Sequence, residues 1–232
     1  MKTKIFCDIA DLKTIKLYNN KSIVDGFTTN PSLMRLAGAK NYKDYSLKIL
    51  KLCKKKSISF EVFADEPHGM LNQAYKITTW GKNVYVKIPV VNSKGYFMGS
   101  VINELSNKGV KLNITAVYTY EQVKKIYKIL NKKTKTIISV FAGRMADKGK
   151  DPLPIFKRSI NLVKRSNNIK ILWASTREAY NFTQAKQIKC DIITMPPKII
   201  DQIQRFGKNF NSMTIDTVKG FLKDSKKSKF RL

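Results

Sequence analysis

Histidine is nearly absent: His68 is alone in 232 residues. Ser-His-Asp chemistry would have to run through that one side chain, and a site built from several histidines is excluded. Cysteine is almost as scarce. Cys7, Cys53 and Cys190 are odd in number and far apart, which fits neither a disulfide framework nor a zinc spacing. No metal or other cofactor is expected. There is no GxGxxG and no Walker-type glycine loop, so a dinucleotide or P-loop nucleotide fold is disfavoured. No apolar run approaches the roughly 20 residues of a membrane-spanning helix. The first residues meet Asp8 too early for a secretory leader. A cytoplasmic location follows as the expectation, with no membrane partner.

Acids are few as well, 16 against 45 Lys+Arg, for a formal charge of +29. Such a balance suggests polyanions. The basic residues argue against nucleic acid, however. Only seven are arginine, the residue that reads bases and clamps phosphates bidentately. The lysines are spread along the chain, mostly on polar helix faces, as a solvated coat.

Hydrophobic residues make up 43% of the chain, enough for a sizeable core. Short β-rich runs alternate with helical patterns throughout. Strands are expected at 4–7, 23–25, 57–62, 84–88, 110–114, 136–141, 170–174 and 191–194. Helices are expected at 11–18, 31–52 with a break near Gly38, 69–80, 95–107, 120–131, 152–164 and 177–188, with two more after the last strand. Several strands are almost continuously apolar, as in parallel sheets buried on both faces. Eight strand–helix units in this length suit a single-domain α/β fold, a (β/α)8 TIM barrel over 1–222 with a basic tail at 223–232.

Polar residues near strand ends break the apolar pattern, and such positions in a barrel are catalytic candidates. Lys87 lies inside VYVKIPVV. It either snorkels outward between helices or points into the barrel mouth, where desolvation favours a neutral, nucleophilic amine. Asp8 and Glu61 end strands and are two carboxylates suited to proton transfer; Asp8 would otherwise cap a helix, a place for which Asp11 competes. Asn30 precedes Pro31 as a helix cap and is also able to bind a hydroxyl. Asn113 and Thr115 alternate onto one strand face. Ser139, Phe141 and Arg144 end the sixth strand, and Ser175 and Arg177 the seventh. The Ser-Thr-Arg group before a helix reads as a phosphate site, with structural salt bridges as the alternative for both arginines. His68 sits in a loop and takes no role.

Together these segments resemble the transaldolase family. DGFTTNPSL, SFEV, VYVKIPVV, LNITAVYT, SVFAGR and ASTR occur in the family's order across residues 8–177. The length is similar to the short branch, which includes fructose-6-phosphate aldolases. The resemblance implies a metal-free mechanism on sugar phosphates. Lys87 matches the Schiff-base lysine and Asp8 the acid/base at the C4 hydroxyl. Glu61 and Thr115 match the pair holding a catalytic water. Thr29, Asn30, Asn113, Ser139 and Phe141 match substrate-binding positions, and Arg144, Ser175 and Arg177 the phosphate group. Thr176 stands where the resemblance would place Phe.

Two positions separate the branches. The resembling aldolases typically carry Gln at position 61 and Tyr at 141, whereas this chain has Glu61 and Phe141. Without that hydroxyl, transfer of a dihydroxyacetone unit is expected over its release. The resemblance also implies a ring-based homo-oligomer, such as a pentamer or decamer. An aldolase releasing free dihydroxyacetone and a non-catalytic basic barrel that binds nucleic acid remain the rival readings.

Overall fold

Strand and helix alternate along residues 2–229, the part of the chain that the computed structural model describes. The strands are β1 (Lys4–Asp8), β2 (Gly26–Thr28), β3 (Ser57–Glu61), β4 (Val84–Pro89), β5 (Leu112–Val117), β6 (Thr136–Val140), β7 (Ile169–Trp173) and β8 (Ile192–Met195). All pair in parallel with their sequence neighbours, and β8 closes on β1. The result is a single-domain (β/α)8 barrel.

Its helices are α1 (Leu12–Asn19), α2 (Pro31–Leu36), α3 (Tyr42–Leu52), α4 (Pro67–Thr78), α5 (Gly99–Asn107), α6 (Tyr120–Ile129), α7 (Ala142–Ala146), α8 (Leu153–Val163), α9 (Tyr180–Gln187), α10 (Pro197–Ile203) and α11 (Phe210–Ser228). Several carry the caps their sequences call for. Asp11 accepts from the Thr14 N–H at 2.8 Å, so α1 does not need Asp8. Asn30 caps α2 ahead of Pro31, and Thr119 with Gln122 forms a capping box on α6. Gly38, at φ +80°, separates α2 from α3 at the expected break.

Because side chains alternate along a strand, each strand serves two cores. Ile5, Phe27, Val86, Ile88 and Ile114 face outward and pack under the helices in the larger core. The interior holds a small apolar plug of Phe6, Ile137, Leu172, Ala174 and Ile192. Phe6 fits because Gly26 lies beside it: a Cβ at 26 would stand 2.6 Å from its ring. Polar inward positions flank this plug at both ends of the barrel.

Several boundaries differ from the sequence expectation. β2 lies at Gly26–Thr28, just after residues 23–25. Val24 anchors the turn before it, and Asp25 accepts the Ile5 N–H at 2.9 Å. α5 starts at Gly99, because the Asn92 side chain holds the Lys94 and Tyr96 N–H groups in a turn. α7 is a short added helix, and α9 starts at Tyr180. α11 continues past residue 222 to Ser228, with Lys226 and Lys227 in its last turn where cations suit the helix dipole. The end of the expected basic tail, 230–232, lies outside the described residues.

Candidate active site

The C-terminal ends of the strands surround a cavity of about 290 Å³. Asp8, Thr28, Lys87, Thr115, Ser139 and Thr194 line it from strands, with Asn30, Phe141, Ser175 and Arg177 from the loops above and Arg144 from α7. An equal cavity lies at the opposite end of the barrel, away from these groups.

Lys87 points inward and is only 7% exposed. Val86 and Ile88 alternate with it toward the helices, which sends residue 87 to the interior. Its Nζ lies 3.1 Å from Glu61 Oε2 and donates to the Thr29 carbonyl at 3.2 Å. Glu61 stands opposite Lys87 in the strand register. The hydroxyl of half-buried Tyr42 bonds both the N–H and the C=O of Glu61, at 3.0 Å each, and fixes that strand end.

Asp8 accepts a hydrogen bond from the Thr28 hydroxyl at 2.7 Å. Thr28 and Thr194 hydroxyls meet at 2.5 Å. Since Thr28 gives its one proton to Asp8, Thr194 donates to Thr28. Burial raises the Asp8 carboxyl above the usual carboxylate range, while the Lys87 cation and the Thr28 hydroxyl pull it down. The group is thus a stronger base than a solvated carboxylate.

A second polar row crosses the interior. Ser139 Oγ donates to Asn113 Oδ1 at 2.6 Å, and Asn113 Nδ2 donates to Ser59 Oγ at 3.0 Å. Thr115 is buried, and its hydroxyl has no partner among the described residues. Ala116 beside it takes φ +58° as the β5–β6 register shifts between Ile114 and Val117. Non-glycine residues in this backbone region are uncommon and concentrate at functional sites.

The loops after β6 and β7 interlock. Ser175 takes φ +63°, and its carbonyl packs on Gly143. The Arg144 guanidinium lies 5.3 Å from the centre of the Phe141 ring. Arg177 forms a bidentate pair with Asp147, with Nε at 3.0 Å and the terminal nitrogen at 2.6 Å. That contact holds the Asp147 carboxyl below its ordinary range. The helix start expected to cradle phosphate is occupied: Asn181 accepts the Arg177 and Glu178 N–H groups.

Of the residues singled out in the sequence, Asp8, Asn30, Lys87, Asn113, Thr115, Ser139, Phe141, Arg144, Ser175 and Arg177 meet in the cavity lining. Glu61 joins through Lys87. Thr29 faces elsewhere: its hydroxyl donates to the Ser59 carbonyl at 2.7 Å, and only its carbonyl serves Lys87. Thr28 and Thr194 were not singled out. Their signal was present, as each is a polar residue at the inward end of a strand. Thr176, where the resemblance would place Phe, ties its hydroxyl to the Thr194 carbonyl at 2.7 Å.

The family model Transaldolase/Fructose-6-phosphate aldolase matches residues 5–232. A protein named "Probable transaldolase" from Nitrosopumilus maritimus is 32% identical over 228 residues, covering 97% of this chain and 96% of its own. One of the same name from Dehalococcoides mccartyi is 31% identical over 204 residues, covering 87% and 90%. Solved structures share the fold at low identity. The 3-hexulose-6-phosphate synthase from Salmonella typhimurium superposes with TM-score 0.58 at 12% identity, covering 84% of this chain and 89% of that one. The N-acetylneuraminate lyase from Mycoplasma synoviae gives 0.56 at 10% identity, covering 82% and 67%. On the match along nearly its whole length, the chain belongs to the transaldolase/fructose-6-phosphate aldolase family.

Proposed function

We propose that this enzyme moves a dihydroxyacetone unit from a ketose phosphate to an aldose phosphate through a Schiff base on Lys87. The donor and acceptor would be sedoheptulose 7-phosphate and glyceraldehyde 3-phosphate, yielding erythrose 4-phosphate and fructose 6-phosphate. The observation that carries this reading is a buried lysine amine at a barrel mouth, held between a carboxylate and a carbonyl, with a second carboxylate, Asp8, on the same inner surface.

In the first step the Lys87 amine adds to the ketone carbon, and water leaves to give an iminium. Glu61 and the unpartnered Thr115 hydroxyl are suited to handle the protons of that water. Asp8 then takes the proton of the C4 hydroxyl as the C3–C4 bond breaks. The bonding pair moves to C3 and the iminium nitrogen accepts charge, leaving an enamine and a free aldose phosphate. The enamine carbon adds to the acceptor aldehyde, Asp8 returns the proton to the new alkoxide, and hydrolysis frees Lys87. Asn113 and Ser139 would hold the hydroxyls of the three-carbon unit. Arg144, with Ser175 and Arg177, would take the phosphate. Phe141 offers no hydroxyl to protonate the enamine, which favours transfer.

The reading brings with it a cytoplasmic enzyme of the non-oxidative pentose phosphate pathway. A homo-oligomer is part of it. No residue of α11 is buried, and Phe210, Ile215, Val218 and Phe221 are exposed along the helix. A second copy of the chain would cover them, and sedimentation at micromolar concentration tests this.

The deciding assay follows glyceraldehyde 3-phosphate release from fructose 6-phosphate, with and without erythrose 4-phosphate. Release that needs the acceptor supports transfer; equal release without it makes the enzyme an aldolase. Borohydride trapping of substrate should vanish in Lys87→Ala, and persistent trapping would place the nucleophile elsewhere.

A further inference from the structure

The end of the barrel opposite Lys87 is built unlike a purely structural face. In this fold that end ordinarily serves stability. Here it encloses a cavity of about 290 Å³, close to the lower size limit of small-molecule sites. Lys2, Lys4, Lys135 and Lys170 line it, with Asp191 as the one acid among the lining residues. Asp191 is already engaged. It pairs with Lys170 at 3.1 Å and accepts the Ile171 N–H at 3.0 Å. Among the described residues, no carboxylate lies within ion-pair distance of Lys4 or Lys135. Lys111 and Lys135 are close enough to repel each other. Gathering cations without counter-charges costs free energy, which a bound anion would offset.

The cavity wall supplies a second observation. Tyr85 sits two residues before Lys87 on the same inward face of β4, below the apolar plug. Its hydroxyl makes no hydrogen bond to the described residues, and burial raises its pKa, so it stays a donor. The Ser57 hydroxyl also lines the cavity, and the Phe6 ring and Ile192 form an apolar floor. Cationic rim, neutral donors and a small apolar floor are the parts of a site for a phosphorylated small molecule.

We propose that this cavity binds a small polyanion of the diphosphate type, free or as the phosphate end of a small organic molecule. Lys4 and Lys135 would take the charge, and Tyr85 would donate from the wall. The site is separate from the mouth cavity and does not depend on the reaction assigned there.

The test is equilibrium dialysis of the full chain with inorganic pyrophosphate at low salt. Adenosine diphosphate in a parallel arm asks whether an organic body adds affinity. The expected result is saturable binding that weakens about tenfold or more in Lys4→Gln with Lys135→Gln, the size expected for losing two charge-assisted contacts. Binding should change less than about twofold in Arg144→Gln and in the helix-surface control Lys124→Gln with Lys125→Gln. Tighter adenosine diphosphate supports an organic ligand, and tighter pyrophosphate supports the free anion. Three outcomes would overturn the proposal: no saturable pyrophosphate binding, equal weakening in both lysine pairs, or loss of binding in Arg144→Gln. The four lysines changed are exposed, so circular dichroism should show an unchanged fold.

Discussion

Gly143 lies against the carbonyl of Ser175 so closely that a Cβ at 143 would stand 1.6 Å from that oxygen. The contact locks α7 onto the loop after β7, where Ser175 is held at φ +63°. The oxygen belongs to backbone and a Cβ is fixed directly to backbone, so neither atom can swing aside as a side-chain end does. Gly143→Ala should therefore push the two loops apart. Stability is expected to fall by about 1–3 kcal/mol, the usual cost of overpacking. Urea denaturation measures that loss. KM for the phosphorylated substrate should rise in the same variant, because Arg144 and Arg177 ride on these loops. An unchanged denaturation midpoint would mean that the loops yield freely.

Lys87 and Glu61 form a largely buried pair. Removing one partner strands the other in a place poor in water. Glu61→Ala alone should destabilise the fold by about 1–3 kcal/mol, discounted from the fully buried case because Glu61 retains some exposure. Lys87→Met combined with Glu61→Gln should recover most of the loss while abolishing imine formation. Denaturation curves with borohydride trapping distinguish the two effects. A double variant no more stable than Glu61→Ala would show that the pair itself contributes the stability.

Asp8 gives a pH signature with a definite sign. Its folded pKa is raised by burial, so the native state holds the proton more tightly than the unfolded chain. Stability from this group is full at low pH and is lost as pH rises through the ordinary carboxylate range to the folded value. Asp8→Asn should then melt higher than the parent at pH 7, with the difference shrinking toward pH 4. Each kcal/mol gained corresponds to roughly 2–4 °C at this chain size. The same change should remove C3–C4 cleavage yet leave borohydride trapping of a ketone detectable. A melting difference that grows on acidification would reverse the assignment.

Arg177 is engaged by Asp147, whereas Arg144 has no carboxylate partner among the described residues. Arg144→Ala should raise KM for a phosphorylated substrate about tenfold or more, as expected for a charge-assisted contact to phosphate. Asp147→Asn should instead free Arg177 and lower that KM, with the fold intact. Steady-state kinetics at fixed ionic strength reads both. If Asp147→Asn raises KM, the pair positions Arg177 for the phosphate.

Much of this architecture is written locally. Strand and helix rhythm, the Asn30 and Asp11 caps and the break at Gly38 depend on near neighbours in the chain, so they are readable from the sequence. Lys87 was conspicuous for the same reason: a charge amid valine and isoleucine violates the pattern of its own strand. Asp8, Asn113, Thr115 and Ser139 follow from alternation once the strands are placed. The tertiary structure alone decided what meets across the barrel. Thr194 reaches Thr28 over a separation of 166 residues, and Arg177 finds Asp147 through the packing of two loops. It also turned the Thr29 hydroxyl onto β3 and gathered Lys4 and Lys135 at one rim. Periodicity tells which face a side chain takes, but the closure and register of eight strands determine its partners.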